Sequence, residues 1–171
     1  MNLIESVIEE RSMKEVVIKK EDAVFWMDGN GRWHNQFGLF RNKKIIDFFH
    51  RSIRRDEAGY HLYQKRDNCV EKVYFPYQDC ALFVFEVVGE DDATLILNTQ
   101  RQIPLKPKKM YVQDDSLYIQ AGEERIKFSE RSLMKLARRI EEENDQYFIR
   151  IRNRHYRIPR INRIHPFHAS A

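Results

Sequence analysis

Apolar positions along the chain fall into short strand-like runs, interrupted by two stretches with helical spacing. An apolar run from Ala23 to Met27 predicts a strand. The Asp28-Gly29-Asn30-Gly31 that follows supplies residues tolerant of positive φ, the strongest short-range hairpin signal, and Trp33 opens the return strand. Asn42 is placed as the N-cap of a helix carrying Ile45, Ile46, Phe49 and Ile53 on one stripe, with Phe49 and Ile53 inward and Gly59 as its terminating glycine. Strands are then expected at Tyr60 to Lys65, Glu71 to Phe75 and Leu82 to Val88. After the acidic turn Gly89-Glu90-Asp91-Asp92, another is expected at Thr94 to Asn98. Together these form an antiparallel meander following one helix. Ahead of them, Leu3, Ile4, Val7 and Ile8 have helical spacing, and Val16-Val17-Ile18 reads as a strand.

The second half restarts the same pattern. Pro104 and Pro107, among Lys106, Lys108 and Lys109, read as a linker. Tyr111-Val112 and Leu117-Tyr118-Ile119 flank an Asp114-Asp115 turn, and Glu124 to Lys127 extends the set. Ser129 opens a helix expected to turn Leu133, Leu136, Ala137 and Ile140 inward. Tyr147, Ile149 and Ile151 then alternate with Phe148, Arg150 and Arg152 before a turn at Asn153-Arg154. Phe49 and Leu136, Ile53 and Ile140, Tyr60 and Tyr147, and Leu62 and Ile149 are each separated by 87 residues. The expectation is therefore an α+β fold with an internal repeat: two similar small subdomains, each a β-hairpin, one helix and antiparallel strands. Its expected parts are an N-terminal arm over 1–22, a first subdomain over 23–103, a second over 110–164 and a tail over 165–171.

Composition supports a packed core. Of 171 residues 42% are hydrophobic, with 11 Phe, 8 Tyr and 2 Trp, which argues against general disorder. The net charge of +4 is mild, because 30 basic residues nearly offset 26 acidic ones. Its distribution is uneven: from Gln146 onward there is no acidic residue, while acids concentrate at Glu90-Asp91-Asp92 and Glu141-Glu142-Glu143. Cys69 and Cys80 are the only cysteines and suit a reducing compartment. Glu5, Glu9 and Glu10 argue against a signal peptide, and no apolar run approaches the roughly 20 residues a membrane helix needs. A cytoplasmic protein without membrane association is expected.

The stretch Met27-Asp28-Gly29-Asn30-Gly31-Arg32-Trp33-His34, with Phe48-Phe49, Ile53-Arg54-Arg55-Asp56-Glu57, Gly59-Tyr60 and Leu62, resembles the bacterial domain-of-unknown-function family 1285. The match covers roughly residues 23–100, including Asp79-Cys80-Ala81-Leu82 at an Asp-Ala-Pro-Phe-like segment. Gln64-Lys65-Arg66 stands where the family has Thr-Pro, and Ala81-Leu82 where it has Pro-Phe, so the chain is similar to a divergent relative. The resemblance implies two α/β subdomains with a repeated motif, a role in regulation or signal transduction, and no established activity.

Candidate chemistry is sparse. Asp28, Arg32, Trp33, His34 and Arg41, with Asp79, form one candidate site for a carboxylate or phosphate. The plainer reading makes Asp28 a turn cap, Trp33 core, and Arg32 and His34 solvated. Arg150, Arg152 and Arg157 form a basic patch that would face nucleic acid, a protein partner or solvent. Arg54-Arg55 and Arg138-Arg139 read as cations at helix C-termini. His165 and His168 lack a third metal ligand at suitable spacing, no nucleophile or Gly-rich phosphate motif is present, and no cofactor is implied. Asp28, His34 and Asp79 are the one acid–base trio worth naming for an enzyme. The leading expectation is a non-catalytic protein binding a small anionic ligand or a protein partner. A nucleic-acid module is the weaker alternative, and exposed edge strands are compatible with a homodimer.

Overall fold

The computed structural model describes residues 13–162. Helical spacing at Leu3–Ile8 and the His165/His168 pair lie outside them. The fold is α+β, mostly sheet, with two α-helices among the described residues. It divides into two compact units between Ala81 and Leu82. The expected linker at Pro104–Pro107 is therefore not the boundary. Pro104 ends a sheet strand and Pro107 opens a 3-10 turn, both inside the second unit.

In the first unit, β1 (Lys14–Ile18), β5 (Ile53–Asp56), β6 (Gly59–Arg66) and β7 (Cys69–Tyr74) form one sheet in the order β1-β7-β6-β5. β1 runs parallel to β7, so residues 14–18 belong to the sheet and not to a separate arm. A smaller sheet holds β2 (Phe25–Met27), β3 (Trp33–Asn35) and β4 (Gly38–Leu39). The helix α1 (Lys43–Ser52) starts where expected: the Asn42 carboxamide accepts from the Lys44 and Ile45 N–H groups. Replacing Asn42 with Ala should therefore cost about 1 kcal/mol, read by urea denaturation of the purified variant.

The helix ends earlier than its apolar spacing predicts. Ile53 leaves it with φ −63° and ψ 127° and begins β5, pairing with Leu62. Gly59 accordingly serves the β5–β6 turn, with φ +120°. The buried stripe is also rotated. Ile45 is exposed while His50 and Ser52 are buried, and the Ser52 hydroxyl is satisfied by the Phe48 carbonyl. Arg54 and Arg55 lie on a strand, although the Arg54 guanidinium still reaches back to the Arg51 carbonyl at the helix end.

The second unit is built on a six-stranded sheet. β8 (Leu82–Val88), β9 (Thr94–Leu97), β10 (Gln102–Pro104), β11 (Met110–Gln113), β12 (Ser116–Ala121) and β13 (Glu124–Phe128) lie in the order β10-β9-β8-β13-β12-β11. The expected meander thus breaks after β7: β8 joins this sheet, antiparallel to β9 and parallel to β13. Asp114 and Asp115 both take positive φ in the β11–β12 turn, as the sequence pattern requires. Ser129 caps α2 (Glu130–Leu136), whose Leu136 and Ser132 are fully buried. Ala137 is exposed, and Ile140 starts a strand instead of continuing the helix. That strand, β14 (Ile140–Glu143), forms a three-stranded sheet with β15 (Gln146–Ile151) and β16 (Arg154–Ile158). Within it Ile140 pairs with Ile149.

Candidate functional site

The Asp28–His34 hairpin is held by its own charges. Asp28 Oδ1 accepts from the Asn30 and Arg32 N–H groups at 2.9 and 3.0 Å. Its Oδ2 accepts from Arg32 Nε at 2.9 Å and lies 2.8 Å from His34 Nε2. Burial alone would raise the Asp28 pKa, but these four hydrogen bonds outweigh it and lower the carboxyl to about 2. Of the six residues the sequence singles out for this site, Asp28, Arg32 and His34 converge, yet they converge on one another. Trp33 points the other way, into a cluster with Phe25, Phe49, His50 and Phe75, and is 1% exposed. Arg41 is exposed. Asp79 meets the Cys80 thiol, while the neighbouring Gln78 side chain accepts from the Gly29 N–H at 2.9 Å. His50, deep in the aromatic cluster, is held neutral: burial pushes its pKa down to about 4, against the weaker pull of Asp47.

The basic patch comes apart by element. Register pairs Phe148 with Arg157 and Arg150 with His155, so Arg150 and Arg157 share one face of the β15–β16 hairpin with Phe148. Arg152 does not share it. It occupies the turn with φ +54° and turns to the acidic loop after β8, placing its guanidinium 2.8 and 2.9 Å from the two Asp92 carboxylate oxygens. Arg150 lies 3.3 Å from Glu141.

A larger feature emerges beside them. Lys135 from α2 and Arg138 and Arg139 from the 3-10 turn after it join Arg150 and Arg152 around a groove of about 740 Å³, with Glu90 and Asp91 the acidic residues on its wall. Lys135 Nζ lies 3.5 Å from Glu86 and donates to the Val87 carbonyl, and Arg139 donates to the Gly89 and Glu90 carbonyls. Arg138 is exposed and has no acceptor among the described residues. The acidic loop is thus bound to the wall by Arg139 and Arg152 while cations remain in excess.

No family model matches the chain, and no curated protein matches it. Among solved structures, a DUF1285 family protein from Silicibacter pomeroyi DSS-3 superposes with a TM-score of 0.56 at 14% identity, covering 87% of this chain and 85% of that one. The chain has a DUF1285-like fold. A DUF1285 family protein from Shewanella baltica OS155 superposes with a TM-score of 0.49 at 14% identity, over 70% of this chain and 94% of that one. The family resemblance carried by the hairpin and first-helix residues thus holds at the level of fold, in a chain whose sequence has diverged far.

Within this DUF1285-like fold, sequence reasoning reached Arg150 and Arg152 but not the groove they border. The sequence pattern places Arg138 and Arg139 at a helix C-terminus, whereas they occupy a 3-10 turn after the helix proper. One signal was available: the acidic turn at 90–92 and the basic segment from Arg138 are oppositely charged, and attraction between them brings loop and turn together.

Proposed function

We propose that this protein is a non-catalytic binding protein that takes a small anionic ligand, a phosphate or polycarboxylate, in the groove of its second unit. The observation that carries this reading is the excess of cations on the groove wall, with Arg138 unmatched by any acceptor among the described residues. The partners that Arg150 and Lys135 already have are exposed ion pairs of roughly 0–1 kcal/mol, which an incoming polyanion can replace at little cost. Arginine forks suit phosphate or carboxylate oxygens in bidentate geometry. The nucleic-acid alternative at Arg150, Arg152 and Arg157 is less favoured, because the three do not form one face: Arg152 leaves the face of Arg150 and Arg157 and turns to Asp92. A regulatory role follows the family resemblance. Descent of both units from one motif is part of the same reading, supported by the Ile53–Leu62 and Ile140–Ile149 pairs.

Thermal shift and calorimetry with inorganic pyrophosphate and with citrate test the proposal. At least one is expected to bind, with affinity falling as salt rises. Arg138→Ala should weaken binding by about tenfold, the worth of one charge-assisted hydrogen bond. Absence of binding by either anion at millimolar concentration, or binding indifferent to Arg138→Ala, would reject the groove.

A further inference from the structure

We propose that the first unit carries a second site, for a planar aromatic anion such as a nucleoside monophosphate, between the start of β6 and the chain leaving β1. A cavity of about 450 Å³ opens there, within the size range of small-molecule sites. Tyr60, Tyr74 and Tyr77 form its aromatic wall, all half-buried, with the Tyr60 and Tyr77 rings edge-to-face at 5.9 Å. The Tyr74 ring is fixed from behind, since its hydroxyl donates to Asp56 Oδ2 at 2.8 Å. Three phenol rings offer π-faces and edges to an incoming ring without demanding a particular base.

Gly59 supplies the approach. Its φ of +120° is one that side-chain-bearing residues rarely adopt, and a Cβ built there would meet no heavy atom within 4 Å. Bare backbone therefore lines the cavity beside Tyr60, and a flat ring can lie against it. The charge is supplied by Lys19 and Lys20. Lys19 is exposed and has no acceptor among the described residues. Lys20 Nζ stands 5.0 Å from the centroid of Tyr77, a weak contact at an exposed position that leaves its N–H groups for an oxyanion. The acids that follow, Glu21 and Asp22, are not on the cavity wall. Aromatic walls with a cationic edge recognise a ligand that joins a ring to a negative group, and either half alone satisfies only part of the site.

Calorimetry with adenosine 5′-monophosphate, 4-hydroxybenzoate, adenosine and ribose 5-phosphate separates the contributions. One of the two aromatic anions is expected to bind, and adenosine and ribose 5-phosphate to bind at least about fivefold more weakly than the monophosphate if that is the ligand. The monophosphate and 4-hydroxybenzoate arms distinguish a nucleotide from an aromatic carboxylate. Tyr77→Leu, which keeps an apolar side chain beside Phe75, and Lys19→Gln, at an exposed position, should each weaken binding at least about fivefold. Lys19→Gln keeps the test decisive should Tyr77→Leu fail to fold. Silence of both aromatic anions at millimolar concentration, or binding unchanged by Lys19→Gln, overturns the site. Binding lost on Arg138→Ala but kept in Tyr77→Leu and Lys19→Gln also overturns it, and assigns the ligand to the second unit.

Discussion

Replacing Trp33 with Ala is expected to destabilise the first unit by about 3–5 kcal/mol, enough to unfold a marginal domain at room temperature. Trp33 is the hub of that unit's aromatic core: its ring lies 4.8 Å from Phe75, 5.3 Å from Phe49, and 5.7 Å from both Phe25 and His50. Removing it exposes four rings, from β2, α1 and the chain just after β7, to one cavity, which the surrounding strands cannot close without breaking the β2–β3 register. Trp33→Phe should cost much less, on the order of 1–2 kcal/mol. It retains an aromatic filler and deletes an indole N–H that has no hydrogen-bond partner among the described residues. Both tryptophans of the chain, Trp26 and Trp33, belong to the first unit, so tryptophan fluorescence in urea follows that unit alone. In Trp33→Ala, Trp26 remains as the reporter. Equal midpoints for Trp33→Ala and the unsubstituted protein would show that the core does not depend on this ring.

That dependence was readable from sequence only in part. Local signals were written plainly: Asp28–Gly31 and Asp114-Asp115 gave their turns, Asn42 and Ser129 their helix caps, and alternation gave most strands nearly to the residue. What eluded local reading was decided by partners distant in the chain. Ile53 fits a helical stripe equally well, and becomes a strand residue because Leu62 pairs with it. Nothing between Glu71 and Val88 states that β7 and β8 join different sheets; Phe128 and Leu97 decide that by pairing with Val84. The same holds for candidate chemistry. The convergence of Asp28, Arg32 and His34 follows from hairpin alternation, so it was foreseeable. Their mutual saturation was not, because alternation does not say which oxygen meets which donor. The groove at Arg138 joins elements some fifty residues apart, as the Arg139–Gly89 contact shows, and such a meeting leaves only the opposite charge of the two segments as a trace in the sequence.

Acid is expected to unfold the first unit in two stages, and Asp28→Ala to remove the lower one. His50 has a folded-state pKa of about 4 against an ordinary 6.5. The unfolded chain therefore takes up the proton first, and stability falls as pH drops from about 6.5 to about 4, by roughly 3 kcal/mol. Asp28 titrates near 2 in the folded protein against 3.8 ordinarily. Its contribution is fully present above about 4 and is lost as pH falls through 4 towards 2, by roughly 2 kcal/mol. Asp28→Ala should therefore lower stability by about 2–4 kcal/mol at pH 7, since it also leaves the Asn30 and Arg32 N–H groups without their acceptor. The slope between pH 6.5 and 4 should survive, because His50 is untouched, while the slope below 4 should flatten. Asp28→Asn is not a rescue: one oxygen can still serve the backbone donors, but its NH₂ group then faces Arg32 Nε where Oδ2 accepted. Urea midpoints between pH 7 and 3, followed by tryptophan fluorescence, read all three curves. If Asp28→Ala matches the unsubstituted protein at pH 7, the hairpin carboxylate is not a structural cap, and its cost must be justified by a ligand. If stability lost at pH 7 is accompanied by a preserved slope below 4, another carboxylate governs the acid limb.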